Sequence, residues 1–193
     1  MLMLPTTATP LTPGSLREGP RAGAARMAGV LEPMTAADES AVAAQLQRLP
    51  RGLAGVGYRC PCGRPAVVVT RPRLDDGSPF PTTYYLTCPR AVAACSHLEA
   101  TGLMATMTAR LHHDDQLADR YRRAHQHYLH DREQLGWVPE IAEVSAGGMP
   151  DRVKCLHALV AHALAAGPGI NPLGDETVTE IGQFWTRPCL EEQ

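Results

Sequence analysis

Between Gly147 and His157 the chain reads GGMPDRVKCLH, a turn that delivers it into a helix. Two glycines supply backbone freedom and Pro150 presets the approach. The helical pattern then runs from about Asp151 to Ala166, where Gly167 and Pro168 stop it. Its first turns carry Arg152, Lys154, Cys155 and His157. A helix start presents unpaired N–H groups and the positive end of the helix dipole, so two cations there are unfavourable by themselves. A bound carboxylate or phosphate would relieve the conflict. A small anionic ligand is therefore expected at Gly147, Gly148, Arg152 and Lys154, with an internal carboxylate such as Asp151 as the alternative. A second turn, GPGINPLGDE at 167–176, has the same Gly-Pro character. Arg64, Arg71 and Arg73 would add positive charge to one cleft.

The rest of the chain falls into three parts. Residues 1–33 hold five prolines and almost no apolar periodicity, so a disordered tail is expected there, with Met27 and Met34 as alternative translation starts. Residues 34–188 read as a single α+β domain, and 189–193 as a flexible C-terminus. Thr35 is placed to cap a helix carrying Val42, Leu46 and Leu49, which Pro50 and Gly52 end. Strand-like runs follow at 56–60, 65–71 and 82–88, which predicts a small antiparallel sheet of about three strands within residues 56–88. After Cys88 the pattern turns helical: Pro89 to Gly102, Leu103 to Leu111, and Asp114 or Asp115 to about Leu135. The last of these bears an apolar stripe of Leu117, Tyr121, Ala124, Tyr128 and Leu135. A short strand is expected at Glu140 to Val144, and a short helix after Asn171. Early strands and late helices predict an α+β fold, the sheet packed against the C-terminal helices.

Two kinds of chemistry compete for the cysteines. Cys60, Cys62, Cys88 and Cys155 stand at strand ends or at a helix start, where structural zinc ligands often sit, although C-P-C-G is one residue shorter than a zinc knuckle. His157 and Cys95 are alternatives for the fourth place, and small buried hydrophobes are the plain alternative to any metal. His127, His130 and Asp131 share one helical face, which reads first as a solvated polar face. In the catalytic reading, Cys155 is a nucleophile near a helix start, His157 or His162 its base, and Asp175 or Glu176 an orienting carboxylate. A third reading is an interaction module that uses the Tyr121–Tyr128 helix or the tail.

A net charge of −2 and a pI near 6.4 argue against broad binding to nucleic acid or acidic membranes. No apolar run approaches the roughly 20 residues of a membrane helix, and the N-terminal stretch lacks a basic region, so a cytoplasmic protein is expected. The strings CPCGRP at 60–65, SPFPTTYYLTCP at 78–89, SAGGMPDRVKCLHALVAHALA at 145–165 and GPGINPLGD at 167–175 resemble the actinobacterial family called domain of unknown function 501. That resemblance covers Cys60 to Leu173. It implies a cytoplasmic bacterial protein and offers no catalytic residue to carry over. The neighbourhood of the family's genes points towards cell division or phosphate metabolism.

Overall fold

Thr35 accepts the Asp38 N–H, and the Asp38 carboxylate takes the Thr35 N–H in return. This reciprocal cap starts α1 (Ala36–Leu46) at the residue the sequence marks as its cap. The computed structural model describes residues 31–48, 50–184, 186 and 189, so Leu49 and residues 1–30 lie outside the described residues. β1 (Leu53–Arg59), β2 (Pro65–Thr70) and β3 (Tyr84–Leu86) follow, forming one antiparallel sheet in the order β1-β2-β3. Val56 pairs with Val68, and Val68 with Tyr85. The CPCG string is the β1–β2 turn, closed by Cys60 N–H to the Arg64 carbonyl at 2.9 Å and Gly63 N–H to the Cys60 carbonyl at 2.8 Å. Every residue of β2 is buried, the mark of a central strand covered on both faces.

Pro89 sits in the first turn of α2 (Pro89–Ala100), with Cys88 as its cap. α3 (Leu103–Leu111) and α4 (Asp115–Leu135) come next, α4 capped by Asp114, which accepts the Leu117 N–H. Leu117, Tyr121, Ala124 and Tyr128 of α4 are fully buried, so the tyrosine stripe offered above as an interaction surface is core. α5 (Leu156–Ala166) is the centre of the fold. Eight of its eleven residues are buried, and it packs on α6 (Pro172–Ile181), β3, α2, β1 and β2. The result is an α+β fold with the sheet against the helices, as predicted.

Two expectations need correction, and two residues at the expected domain bounds are placed. The last long helix begins at Leu156, not Asp151, because residues 147–154 close into a loop: Lys154 N–H reaches the Gly147 carbonyl at 2.7 Å and Arg152 N–H the Gly148 carbonyl at 3.2 Å. Partners distant in sequence hold that loop, Thr108 Oγ1 accepting the Val153 N–H and the Tyr121 hydroxyl donating to the Arg152 carbonyl. The strand expected at 140–144 is a 3-10 turn at Pro139–Ile141, and the Arg132 guanidinium binds the Ile141, Ala142 and Val144 carbonyls. Glu32, assigned to the disordered tail, accepts the Val56 N–H at 2.9 Å through its carbonyl and pairs with Arg59 through its carboxylate. Cys189, assigned to a flexible end, is buried at 8% exposure. Among the described residues, no helix is long and apolar enough to cross a membrane.

Gly174, in the first turn of α6, shows how closely α5 and α6 approach. A Cβ there would lie 2.5 Å from the Leu159 carbonyl oxygen and 2.8 Å from the Ala163 Cβ. Alanine is the better helix former by nearly 1 kcal/mol, but overpacking of this kind costs about 1–3 kcal/mol. Gly174→Ala is therefore expected to lower the stability measured by chemical denaturation. A stabilised variant would show that the two helices can part.

Candidate metal and thiol site

Because α5 starts at Leu156, Cys155 is its cap residue in extended backbone (φ −156°) and not a residue of its first turn. On a formed helix Cys155 and His157 would point to opposite sides. Here the Cys155 Sγ lies 3.8 Å from His157 Nδ1. Glu99, near the end of α2, completes the group, its Oε1 lying 3.0 Å from the same His157 Nδ1 and accepting the Leu156 N–H at 2.7 Å. The opposite ring nitrogen, Nε2, donates to the Val92 carbonyl at 3.2 Å, with Ser96 Oγ also at 3.2 Å. A cleft of about 300 Å³ opens beside the group, walled by Leu46, Tyr85, Leu86, Val92 and Ala158 as well as by Cys155 and His157.

Glu99 changes the reading of the helix start. The carboxylate expected from a ligand is supplied by the chain, since Glu99 already takes the first N–H of α5. Arg152 and Lys154 precede the helix and are exposed. Gly147 and Gly148 are required by the loop itself, with φ of +74° and +93° and side-chain positions that would strike Leu159 and the Arg152 carbonyl. These four residues build the turn that positions Cys155.

Of the two bases proposed for Cys155, only His157 is near it. His162 is fully buried, stacked on Tyr84 with ring centroids 5.4 Å apart and edge-on to Tyr128 at 5.2 Å. Burial pushes its pKa down to about 3. Asp175 accepts the Gly169 N–H and Glu176 pairs with Arg110, so neither proposed orienting carboxylate serves the thiol.

Among the described residues, two sets of three ligand atoms lie within 4.8 Å of one another: Glu99, Cys155 and His157, and His127, Asp131 and His162. Their hydrogen bonds separate them. Asn171 Oδ1 accepts the Gly174 N–H, which turns its Nδ2 towards His162 Nδ1 at 3.2 Å. That amide can only donate, so the proton of neutral His162 sits on Nε2, the atom facing His127 Nδ1 at 3.4 Å, and no lone pair remains there for an ion. His127 Nδ1 also lies 3.0 Å from Asp131, whose carboxylate accepts the Tyr84 hydroxyl at 2.5 Å. In the first set the Nε2–H of His157 is fixed on a backbone carbonyl, which presents Nδ1 to Glu99 and Cys155. This is how a metal-binding histidine is usually oriented.

The cysteines expected to share zinc are divided. Cys155 is with His157 and Glu99, whereas Cys60 and Cys88, at 2% and 0% exposure, lie in the core near Cys62 and Cys189. Burial pushes the Cys60 thiol up to about 12. Cys62, in the turn, meets Cys189 at an Sγ–Sγ distance of 3.5 Å. Burial works against a Cys62 thiolate, but hydrogen bonds from the Arg64 and Cys189 backbone and from the Cys60 and Cys189 thiols outweigh it and hold its pKa below the ordinary value. Neither Glu99 nor Cys189 was found from the sequence. Glu99 gave no local signal, and Cys189 lies far from every other cysteine.

Without metal, hydrogen bonding to the Cys155 sulfur and to Glu99 raises the His157 pKa to about 9. A raised pKa stabilises the fold fully below the unfolded value of about 6.5, and that contribution is lost as the pH rises to about 9. In chelator-treated protein, denaturation across this window should show wild type losing stability relative to His157→Gln. Parallel curves would mean that the imidazolium contributes nothing.

Comparison with curated proteins and with solved structures finds no match. The model of the family described as "Protein of unknown function (DUF501)" matches residues 56–179, from the middle of β1 to near the end of α6, and the chain belongs to that family.

Proposed function

We propose that Glu99, Cys155 and His157 are the protein ligands of a zinc ion whose remaining position opens onto the apolar cleft. The cleft would take a small molecule with an apolar body and an oxygen-bearing head such as a carboxylate, phosphate or ester. One observation carries this reading: thiol and carboxylate converge on the same ring nitrogen, while the other nitrogen is anchored to a carbonyl. A nucleophile–base relay places them differently, with the nucleophile at one imidazole nitrogen and the orienting carboxylate at the other. The Cys155–His157 separation of 3.8 Å is close to that of tetrahedral zinc ligands, which at about 2.0–2.3 Å from the ion stand roughly 3.3–3.8 Å apart, and the 3.0 Å Glu99–His157 contact would open by a few tenths of an ångström.

Three protein ligands with one open place is the composition of catalytic rather than structural zinc sites. Zinc bound there would polarise the oxygen-bearing head or lower the pKa of a bound water to about 7, which extends the reading to hydrolysis of an ester or amide. The chain's own residues prepare the site: Val92 orients His157, the Leu156 N–H anchors Glu99, and the loop from Gly147 holds Cys155 at the helix start. Leu86, Val92 and Ala158 exclude water from the body of the ligand. The anionic ligand expected from the sequence thus moves from Arg152 and Lys154 to the open metal position.

A second reading is favoured by the imidazolium beside Cys155: a thiol nucleophile acting on an acyl substrate. Metal analysis of untagged protein purified without chelator separates the two. The expected result is one zinc per chain, lost in Cys155→Ser and His157→Gln and retained in His127→Gln and Cys62→Ser. Cobalt substitution should give a thiolate charge-transfer band that disappears in Cys155→Ser. Folded, metal-free protein in which Cys155 alkylates far faster than the other cysteines would replace zinc by the nucleophile. Zinc that survives the loss of Cys155 would end the proposal.

A further inference from the structure

The β1–β2 turn holds a second thiol site that the zinc reading does not use. Cys62 is half-buried at the tip of the CPCG turn, and Cys189 reaches it from the far end of the chain, 127 positions away in sequence. Their sulfurs are 3.5 Å apart, and Gln45 Nε2 steadies the Cys189 sulfur at 3.4 Å. A disulfide needs about 2.05 Å, so the two sulfurs have to close by about 1.5 Å. Cys60, two positions from Cys62, is the obvious competitor, but it is packed in the core and its backbone is tied into the turn on both sides.

We propose that Cys62 and Cys189 form a reversible oxidation site, in which a hydroperoxide converts the pair to a disulfide that fastens the C-terminal segment to the tip of the sheet. Cys62 is the attacking sulfur, because it is the more exposed member of the pair, whereas Cys189 is buried at 8% exposure. The thiolate attacks one oxygen of the hydroperoxide and the O–O bond breaks. Cys62 becomes a sulfenic acid, and the other oxygen leaves as water or an alcohol after taking up a proton. The Cys189 thiol then attacks the Cys62 sulfur, the S–O bond breaks, and the oxygen leaves as a second water carrying the Cys189 proton. Two thiols are oxidised and one hydroperoxide is reduced. A dithiol reductant reverses the step by exchange.

The test uses the full-length reduced chain treated with hydrogen peroxide, followed by intact-mass and non-reducing peptide analysis. Expected are a loss of two hydrogens and a peptide joining Cys62 to Cys189, both reversed by dithiothreitol and both absent in Cys62→Ser and in Cys189→Ser. The crosslink should persist in Cys155→Ser, which keeps this site independent of the zinc reading. A Cys60–Cys62 crosslink, or oxidation elsewhere with Cys62 and Cys189 still reduced, would overturn the proposal. So would zinc that is lost from the protein in Cys189→Ser, since the two sulfurs would then be metal ligands.

Discussion

α5 has almost no solvent face, and the rest of the domain is arranged to cover it. A helix apolar on nearly all sides is stable only when other elements surround it. Here β3 covers one side, α6 another and α2 the start. Small residues allow the approach, Ala163 lying opposite Gly174 of α6 and Ala165 opposite Gly57 of β1. One polar residue, His162, is carried into this core, and it is accepted because Asn171 bonds one of its nitrogens and the rings of Tyr84 and Tyr128 enclose it. Tyr84 then hands the connection on to Asp131 of α4. Sheet, long helix and central helix therefore meet in one buried polar knot.

The same burial explains why the candidate site lies where it does. Chemistry needs access, and α5 gives it near its first turn, where Cys155, His157 and Ala158 come to the cleft wall. The backbone loop ahead of the helix brings Cys155 in from one direction, while α2 brings Glu99 from another. Neither would suffice alone: the thiol meets His157, and His157 is aimed by Val92 and held by Glu99.

Much of the fold could be read from local signals. Thr35, Pro89 and Asp114 stand where helices start, and the α4 stripe faces inward as its spacing requires. The start of α5 was misread because Gly-Gly-Met-Pro-Asp is a good local helix entry, while the bonds that delay the helix come from Thr108 and Tyr121, outside any local window. Likewise, two cations at an apparent helix start pointed to an outside anion, whereas the structure meets that need with Glu99, more than fifty positions earlier. Cys155 and His157 were legible as candidates by residue type. That they face each other follows only from the shorter helix. Cys60, Cys62 and Cys88 were legible as neighbours, and Cys189, which joins them, was not, because it comes from the far end of the chain.

Glu99 plays two parts at once. One of its oxygens both anchors the first N–H of the central helix and faces the imidazole of His157. Architecture and chemistry therefore share an atom, and a change at Glu99 perturbs both together. At Cys155 they separate: its backbone belongs to the helix start while its sulfur belongs to the site. Evolution could exchange that sulfur for another group, and so retune what the cleft does, without disturbing the helix on which the domain is built.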